Sequence, residues 1–287
     1  MKENGKPPIL LIKSQFCALC AQFKFHQKMT KIVGILNVTP DSFSDGGKFD
    51  SLETALTHLK KLIAEGADVI DIGAESTRPQ ATPIGPQEEW RRLTKILPAV
   101  ISEVKKSQKK IKTSIDSYHF ETLVKAWELG VDVVNDVTGL SDERIVNFIA
   151  AKNVETVLMH HAAIPAVEGA LVNRNINLIR EMLRWSEEKI SYLQQKNVKK
   201  SQLIFDVGIG FGKDALQSIR VLKNIDAFRV LGLPLYVGHS KKSFLEAIKI
   251  EGDRAEKTLV VSKYLLQKNV DFLRVHDVAA HFSLLES

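Results

Sequence analysis

The sequence predicts a single (β/α)8 TIM barrel of the α/β class with a short N-terminal extension. Three observations lead to this prediction. The chain has 287 residues of which 44% are hydrophobic, short apolar segments alternate with amphipathic segments eight times, and no change in composition divides the series. Eight such units in one run are typical of a closed barrel, and an open doubly wound sheet is the alternative. No glycine-rich dinucleotide motif follows the first strand, which disfavours the open sheet.

Short apolar segments predict the strands, which span residues 31–37, 67–73, 111–116, 131–135, 154–160, 202–207, 234–238 and 270–275. Amphipathic segments between them predict helices over residues 51–65, 86–105, 118–129, 142–152, 175–196, 214–230, 241–250 with 254–268, and 277–285. Gly66 and Gly130 are placed to end two helices and Pro86 to begin another. Residues 30–287 therefore form the predicted barrel domain, and residues 1–29 form an extension or hairpin.

The overall charge favours an anionic small molecule as the ligand. Lys and Arg number 40 against 34 for Asp and Glu, which gives a net charge of +6. The densest basic clusters lie at predicted helix C-termini without interleaved aromatic residues, so we expect no nucleic-acid partner. No apolar segment reaches the roughly 18 residues of a transmembrane helix, and no convincing secretory signal is present. We therefore expect no membrane contact and a cytoplasmic location.

Cys17 and Cys20 are the only cysteines and lie in the N-terminal extension. A redox C-x-x-C pair needs a βαβ context, and a zinc site needs a second pair of ligands, which His26 alone does not complete. We interpret both cysteines as inert thiols.

Polar side chains stand at nearly every predicted strand end. Since the carboxyl ends of all barrel strands meet at one face, these residues should converge there. A single polar strand end is usually a helix cap, but a whole series of them is not explained by capping. The series comprises Asn37, residues 75–78, Asp116, Asn135, Met159 with His160, Asp206, residues 240–242, Arg274 and His276.

The series divides into two kinds of chemistry. Asp116, Asn135 and Asp206 offer acceptors and one amide, which suit the edge of a heterocycle with an amino group and ring N–H donors. The loops after the seventh and eighth strands, where barrels commonly bind phosphate, carry cationic donors. These donors are Lys241, Arg274 and His276, and Arg78 in the loop after the second strand adds a fourth. The predicted ligand therefore joins a flat polar ring to an anion.

The stretch from 34 to 47, GILNVTPDSFSDGG, has the composition of a lid over a polar ligand. Pro40 ends the strand, and Phe43 is the one large apolar side chain among hydroxyls and carboxylates. Asn37, with Asp41 or Asp45, can provide oxygen ligands for a Mg²⁺ ion shared with a diphosphate.

No nucleophile elbow, H-E-x-x-H motif, Walker loop or pair of glycosidase carboxylates is present. His160 and His161 are adjacent and so point to opposite faces of a strand, which argues against both binding one metal. A site with recognition groups and cations but no obvious base suits a reaction driven by leaving-group departure.

These residues resemble the dihydropteroate synthase family from about residue 30 to 281. The resemblance is carried by eight blocks in order: GILNVTPDSFSDGG at 34–47, DIGAESTRP at 71–79, SIDS at 114–117, VVND at 133–136, LMH at 158–160, FDVGIGF at 205–211, SKKSF at 240–244 and RVHDV at 274–278. It implies a barrel that condenses 6-hydroxymethyl-7,8-dihydropterin diphosphate with 4-aminobenzoate, with Mg²⁺ present, and a homodimer.

The resemblance also implies roles for individual residues. The pterin ring would be bound by Asp116, Asn135, Met159, Asp206 and Lys242. The diphosphate would be bound by Asn37, Arg78, Lys241, Arg274 and His276, with Mg²⁺ at Asn37. The 4-aminobenzoate pocket, also the sulfonamide site of this family, would contain Phe43, Thr77, Pro79, Phe211 and Ser240. The catalytic set would be Asn37, Arg78, Lys242, Arg274 and His276.

Four features depart from the family's pattern, of which one is the unusual segment of residues 161–165 and the other three are single positions. Val207 stands where Pro is usual, Gln80 where Gly is common, and Lys241 where Arg is common, which replaces a planar fork with a point charge. A pterin-dependent methyltransferase domain and a non-catalytic pterin-binding paralogue are the alternatives. The first has no use for the diphosphate donors, and the second predicts loss of Lys242, Arg274 or His276, all of which are present.

Overall fold

The computed structural model describes residues 30–39, 51–76, 81–161 and 177–286. Eight parallel strands, β1 to β8, form a closed barrel in chain order, which confirms the predicted fold class. The strands are Lys31–Asn37, Val69–Gly73, Lys112–Asp116, Val133–Asp136, Glu155–Met159, Leu203–Asp206, Leu235–Val237 and Phe272–Val275. The predicted extension, with both cysteines, lies outside the described residues.

Eight α-helices lie in the described part of the chain. In order, α1 to α8 are Ser51–Ala64, Pro86–Lys106, Phe120–Leu129, Glu143–Lys152, Leu178–Gln195, Ala215–Lys223, Arg254–Gln267 and Val278–Glu286. Pro86 begins α2, and Gly130 ends α3 in the left-handed conformation, both as predicted. None of the helices in these ranges is both long enough and apolar enough to cross a membrane.

Two predicted helices are wrong in extent. The helix predicted over 214–230 ends at Lys223, because the Asn224 side chain donates to the carbonyl of Arg220 and its backbone leaves the helical region. A 3₁₀ segment, Ile225–Leu231, follows. The helix predicted over 241–250 is only a 3₁₀ turn, Ser243–Ala247. No helix begins at Lys241, because its φ of 58° fits no right-handed helix, and the extended backbone of Lys242 and Ile248 bounds the turn.

Strand alternation explains how the barrel supports a polar site. One apolar cluster fills the barrel interior, with Val33, Val69, Val133, Val157, Ile204, Tyr236 and Phe272. On each strand, the side chain two residues after the one in this cluster also points into the barrel, and it lies one layer closer to the carboxyl ends of the strands. That upper layer contains Asp71, Asn135, Met159, Asp206 and Arg274. The apolar layer closes the floor of the barrel, and the polar layer faces the open end.

Candidate active site

The described residues include most of the predicted site. The described site residues are Asn37, Asp116, Asn135, Met159, Asp206, Phe211, Ser240, Lys241, Lys242, Arg274 and His276. Phe43, Thr77, Arg78 and Pro79 lie outside the described residues, so their predicted roles stay predictions. The same holds for Asp41 and Asp45.

Arg274 lies between two carboxylates inside the barrel. Its Nε donates to Asp71 Oδ2 and its Nη2 donates to Asp116 Oδ2, both at 2.6 Å. Burial lowers the pKa of the Arg274 guanidinium, but the two carboxylates outweigh this and hold the pKa above its ordinary value. Burial raises the pKa of Asp116, and the guanidinium opposes that rise. Arg274 is therefore a permanent cation that contacts Asp116, one of the predicted ring-binding residues.

Asp71 is a site residue that the sequence reasoning missed. Its side chain is fully buried on β2, and its Oδ2 accepts from both Arg274 and Asn135 Nδ2, the latter at 3.1 Å. Its Oδ1 has no hydrogen-bond partner among the described residues. The sequence did contain a signal, because a carboxylate within a fully buried strand needs a polar partner.

Asp71 also determines how Asn135 faces a ligand. Because the amide nitrogen of Asn135 donates to a carboxylate, the amide oxygen must point elsewhere; the flipped amide would bring two acceptors together. Asn135 is 4% exposed, on the inward face of β4. It therefore presents an acceptor to the open end of the barrel.

Asp206 and Lys242 form the opposite side of the site. Asp206 ends β6, is 6% exposed, and its Oδ1 accepts from Gly208 N at 2.8 Å. Burial raises the pKa of Asp206, and Lys242 is the main group that opposes the rise. Burial lowers the pKa of Lys242 to about 8, with Asp206 opposing. The two side chains thus form an acceptor and a donor of opposite charge, suited to adjacent positions on one polar ring.

Lys242 also contacts the loop after β6. Its Nζ donates to Ile209 O at 2.5 Å and lies 4.7 Å from the centre of the Phe211 ring. Phe211, predicted in the 4-aminobenzoate pocket, therefore adjoins a residue predicted to bind the pterin.

Ser240 and His276 come together at the ends of β7 and β8. Ser240 Oγ lies 3.0 Å from His276 Nδ1 and accepts from His276 N at 3.3 Å. Lys241 is exposed, and its backbone N–H donates to Thr258 Oγ1 at 3.1 Å. This leaves the Lys241 side chain in solvent at the rim, next to the predicted anion site.

Asn37 and Met159 occupy the ends of β1 and β5. Asn37 is half-buried and offers one amide oxygen, a hard ligand of the kind Mg²⁺ binds. Met159 is 2% exposed and pairs with Asp206 in the barrel ladder, so its thioether lies in the same layer as the predicted ring-binding residues. The ladder therefore fixes Met159 beside the predicted ring site.

A group of three ionisable side chains lies beside the β2–α2 and β3–α3 connections. Glu75, Glu89 and His119 have potential ligand atoms within 4.8 Å of one another. Glu75 accepts from Tyr118 Oη at 2.6 Å and lies 2.9 Å from His119 Nε2, while Glu89 accepts from Ser117 Oγ at 2.8 Å. These contacts are explained by packing of the two connections and give no support to the Mg²⁺ prediction at Asn37.

Comparison with known proteins agrees with this geometry. The model of the family described as pterin binding enzyme matches residues 33–276. The dihydropteroate synthase of Clostridium beijerinckii is 37% identical over 254 residues, which cover 87% of this chain and 89% of that protein.

Two solved structures share the fold and much of the sequence. The dihydropteroate synthase of Anaplasma phagocytophilum, with bound 6-hydroxymethylpterin-monophosphate, has a TM-score of 0.81 and 37% identity, and the match covers 90% of this chain and 97% of that one. The Xanthomonas albilineans enzyme with 4-aminobenzoic acid has a TM-score of 0.81 and 31% identity, covering 90% and 92%. From the barrel, its polar rim and these similarities, the chain belongs to the dihydropteroate synthase family of pterin-binding enzymes.

Proposed function

We propose that this chain condenses 6-hydroxymethyl-7,8-dihydropterin diphosphate with 4-aminobenzoate, forming 7,8-dihydropteroate and diphosphate in folate biosynthesis. The observation that carries the proposal is the convergence of ring-reading acceptors and anion-binding cations at one barrel mouth, in a chain of this family. The Anaplasma and Xanthomonas relatives hold a pterin phosphate and 4-aminobenzoic acid, respectively, which supports the two substrates proposed here.

The pterin ring is proposed to lie on the polar layer of the barrel. Asp206 accepts from neighbouring ring donors, Asn135 offers its amide oxygen, and Lys242 donates to a ring acceptor. Asp116 completes the set and Met159 packs on the ring face. Since Asp116 is paired with Arg274 in this structure, a ring that takes hydrogen bonds from Asp116 competes with that ion pair.

The diphosphate is proposed to lie at the ends of β7, β8 and β1. Arg274 and His276 supply donors there, and Lys241 supplies a charge at the rim. Arg78 is assigned to the same group from the sequence. Asn37 would hold Mg²⁺ together with oxygens of the diphosphate itself. When bound, the ion would neutralise charge on the leaving group.

The 4-aminobenzoate is proposed to bind between Phe211, Ser240 and the stem of Lys242, with Phe43, Thr77 and Pro79 assigned from the sequence. An arylamine is neutral at pH 7 and carries its lone pair, so attack on the pterin methylene needs no strong base. Cations around the diphosphate stabilise the charge that develops as it departs. The cationic side chains thus account for most of the rate, and the carboxylates for recognition. A cytoplasmic location and a homodimer stay predictions.

Diphosphate release tests the proposed function. With the pterin diphosphate and Mg²⁺, we expect release to depend on added 4-aminobenzoate and to match the dihydropteroate formed, measured by mass spectrometry. Release at the same rate without the arylamine would mean hydrolysis rather than transfer. Binding of the pterin without any release would instead indicate a non-catalytic pterin-binding protein.

A further inference from the structure

Lys213 lies behind the candidate site, in the connection after β6, and the proposed reaction does not use it. Its side chain is buried, with the residue 5% exposed. Its Nζ lies 3.0 Å from His160 Nδ1 and 2.9 Å from Gly208 O, and 3.2 Å from both His160 O and Phe211 O. A buried amine with four acceptors, and with no carboxylate in direct contact among the described residues, is unusual for a lysine.

The four acceptors come from two separate segments of the chain. His160 directly follows β5, whereas Gly208 and Phe211 belong to the loop of residues 207–212 after β6. Burial lowers the pKa of Lys213 to about 7, and its amine has three N–H donors when charged and two when neutral, so in either form it can donate to both segments at once. Lys213 therefore fastens the 207–212 loop to the end of β5.

The backbone of this loop is closely fitted to that contact. Gly208, Gly210 and Gly212 all have positive φ, between 61° and 81°. A Cβ on Gly208 would lie 1.9 Å from His160 O, so the loop passes directly against this carbonyl. Such a conformation needs glycine at this position, and it needs donors for the carbonyls that it buries.

The other side of the same loop faces the candidate site. Ile209 O accepts the hydrogen bond from Lys242 Nζ, and the Phe211 ring lies under the same ammonium. The loop thus lies between Lys213, on the side away from the candidate site, and Lys242, on the side that faces it. Displacing the loop would move Phe211 and remove the acceptor that holds Lys242.

We propose that Lys213 is a positioning residue for the arylamine half of the reaction: it fixes the 207–212 loop so that Phe211 and Lys242 form the wall against which 4-aminobenzoate binds. This rests on the proposed function in its identification of the arylamine, but the fixing of the loop does not depend on it. Lys213 touches neither substrate and acts through the loop.

Pterin binding should depend less on Lys213 than 4-aminobenzoate binding does, although Gly208 N of the same loop donates to Asp206 Oδ1 and Ile209 O accepts from Lys242. Asp206 is held by the barrel ladder, since it pairs with Met159 and its carbonyl accepts from His160 N at 2.9 Å. Asn135 and Asp116 lie on β4 and β3, away from the loop. Loss of Lys213 should therefore raise the KM for 4-aminobenzoate more than the KM for the pterin diphosphate.

Lys213→Met is the test, because methionine keeps the length of the arm and removes every donor. We expect the KM for 4-aminobenzoate to rise at least about tenfold, while the KM for the pterin diphosphate rises by at most about a third of that factor. Hydrogen exchange measured by mass spectrometry should show faster exchange in peptides covering residues 207–213.

Gln202→Met is the matched control. Gln202 is 4% exposed, precedes the opposite end of β6, and donates to Ile149 O at 2.9 Å and Val154 O at 3.0 Å. This variant also loses buried hydrogen bonds, but far along the strand from the loop. We expect it to lower the melting temperature with both KM values unchanged.

An unchanged KM for 4-aminobenzoate in folded Lys213→Met would overturn the proposal, and so would an equal rise in both KM values. If the methionine variant does not fold, Lys213→Gln, with two donors on a shorter arm, should show the same split at smaller size. If the wild-type enzyme forms no dihydropteroate, the proposed function fails. The exchange of residues 207–213 then still decides whether Lys213 fixes the loop.

Discussion

Arg274 makes contacts inside the barrel that the sequence pattern does not indicate. The sequence predicts which side chains stand at the strand ends, and the structure places the described ones at one mouth. It does not predict that Arg274 bridges Asp71 and Asp116, because those partners are 203 and 158 residues away along the chain. The pairing depends on strand order and register, which local pattern does not contain. The position of Asp71 within an apolar strand signals that it needs a polar partner, but the local pattern does not show that the partners are Asn135 and Arg274.

Asp206→Asn should weaken pterin binding at least about tenfold. The variant keeps the size of the side chain but replaces an ionic acceptor with an amide, and a hydrogen bond to a charged group contributes roughly 1.5–3 kcal/mol. It also removes the charge that opposes the lowered pKa of Lys242, so Lys242 should deprotonate at lower pH than in the wild type. Calorimetry with 6-hydroxymethylpterin measures the affinity directly.

Asp226→Asn provides the control for this substitution. Asp226 is a surface carboxylate that pairs with Lys268 and Arg229, and exposed pairs of this kind contribute little. Its loss should leave pterin affinity unchanged. Equal affinity in the Asp206 variant and this control would show that the ring binds elsewhere.

At the scale of elements, the sequence predicts strands better than helix ends. The strands end where a polar residue follows an apolar segment, and β1 spans its predicted residues 31–37. Helix boundaries shift where one backbone conformation decides them, as at Asn224 and Lys241. The loop after β6 is a further case: its glycines are visible in the sequence, but its close fit to His160 is not.

Gly208→Ala should disrupt this loop more than the same change at Gly232. Both glycines have nearly the same left-handed φ, 61° and 62°, so the intrinsic strain is equal, at about 1–2 kcal/mol. A Cβ at Gly208 meets the carbonyl of His160 at 1.9 Å, whereas at Gly232 it meets only the flexible end of Lys200 at 3.1 Å. The difference between the variants therefore reports the backbone clash.

We expect Gly208→Ala to melt at a clearly lower temperature than Gly232→Ala. It should also bind 6-hydroxymethylpterin more weakly, since Gly208 N donates to Asp206 Oδ1. Thermal melting and calorimetry on both variants measure the two effects. Equal melting temperatures would mean that the loop adapts to the added Cβ without cost.

At the scale of the whole molecule, we expect the stability of the fold to depend on pH through the contact between the β2–α2 and β3–α3 connections. Glu75 and His119 are 5% and 15% exposed. Burial raises the pKa of Glu75, but hydrogen bonds from His119 and Tyr118 outweigh it and lower the pKa below 4.5. The hydrogen bond to Glu75 raises the pKa of His119 above 6.5, against burial. Both groups are therefore charged together from pH 4.5 to 6.5.

The sign of the pH effect follows from linkage. The folded state binds the His119 proton more tightly than the unfolded state, so this stabilisation is complete below pH 6.5 and is lost as pH rises through the folded pKa. The Glu75 contribution is complete above pH 4.5 and is lost as pH falls through its folded value. We therefore expect the melting temperature of wild type minus that of His119→Asn to be largest near pH 5.5 and to shrink by pH 8.

His161→Asn is a control with the opposite sign. Burial lowers the pKa of His161, so its neutral form is the folded form and its contribution falls as pH drops below 6.5. The wild-type-minus-variant difference for His161 should therefore be larger at pH 8 than at pH 5.5. If both variants showed the same pH trend, the Glu75–His119 pair would not be the source of the effect.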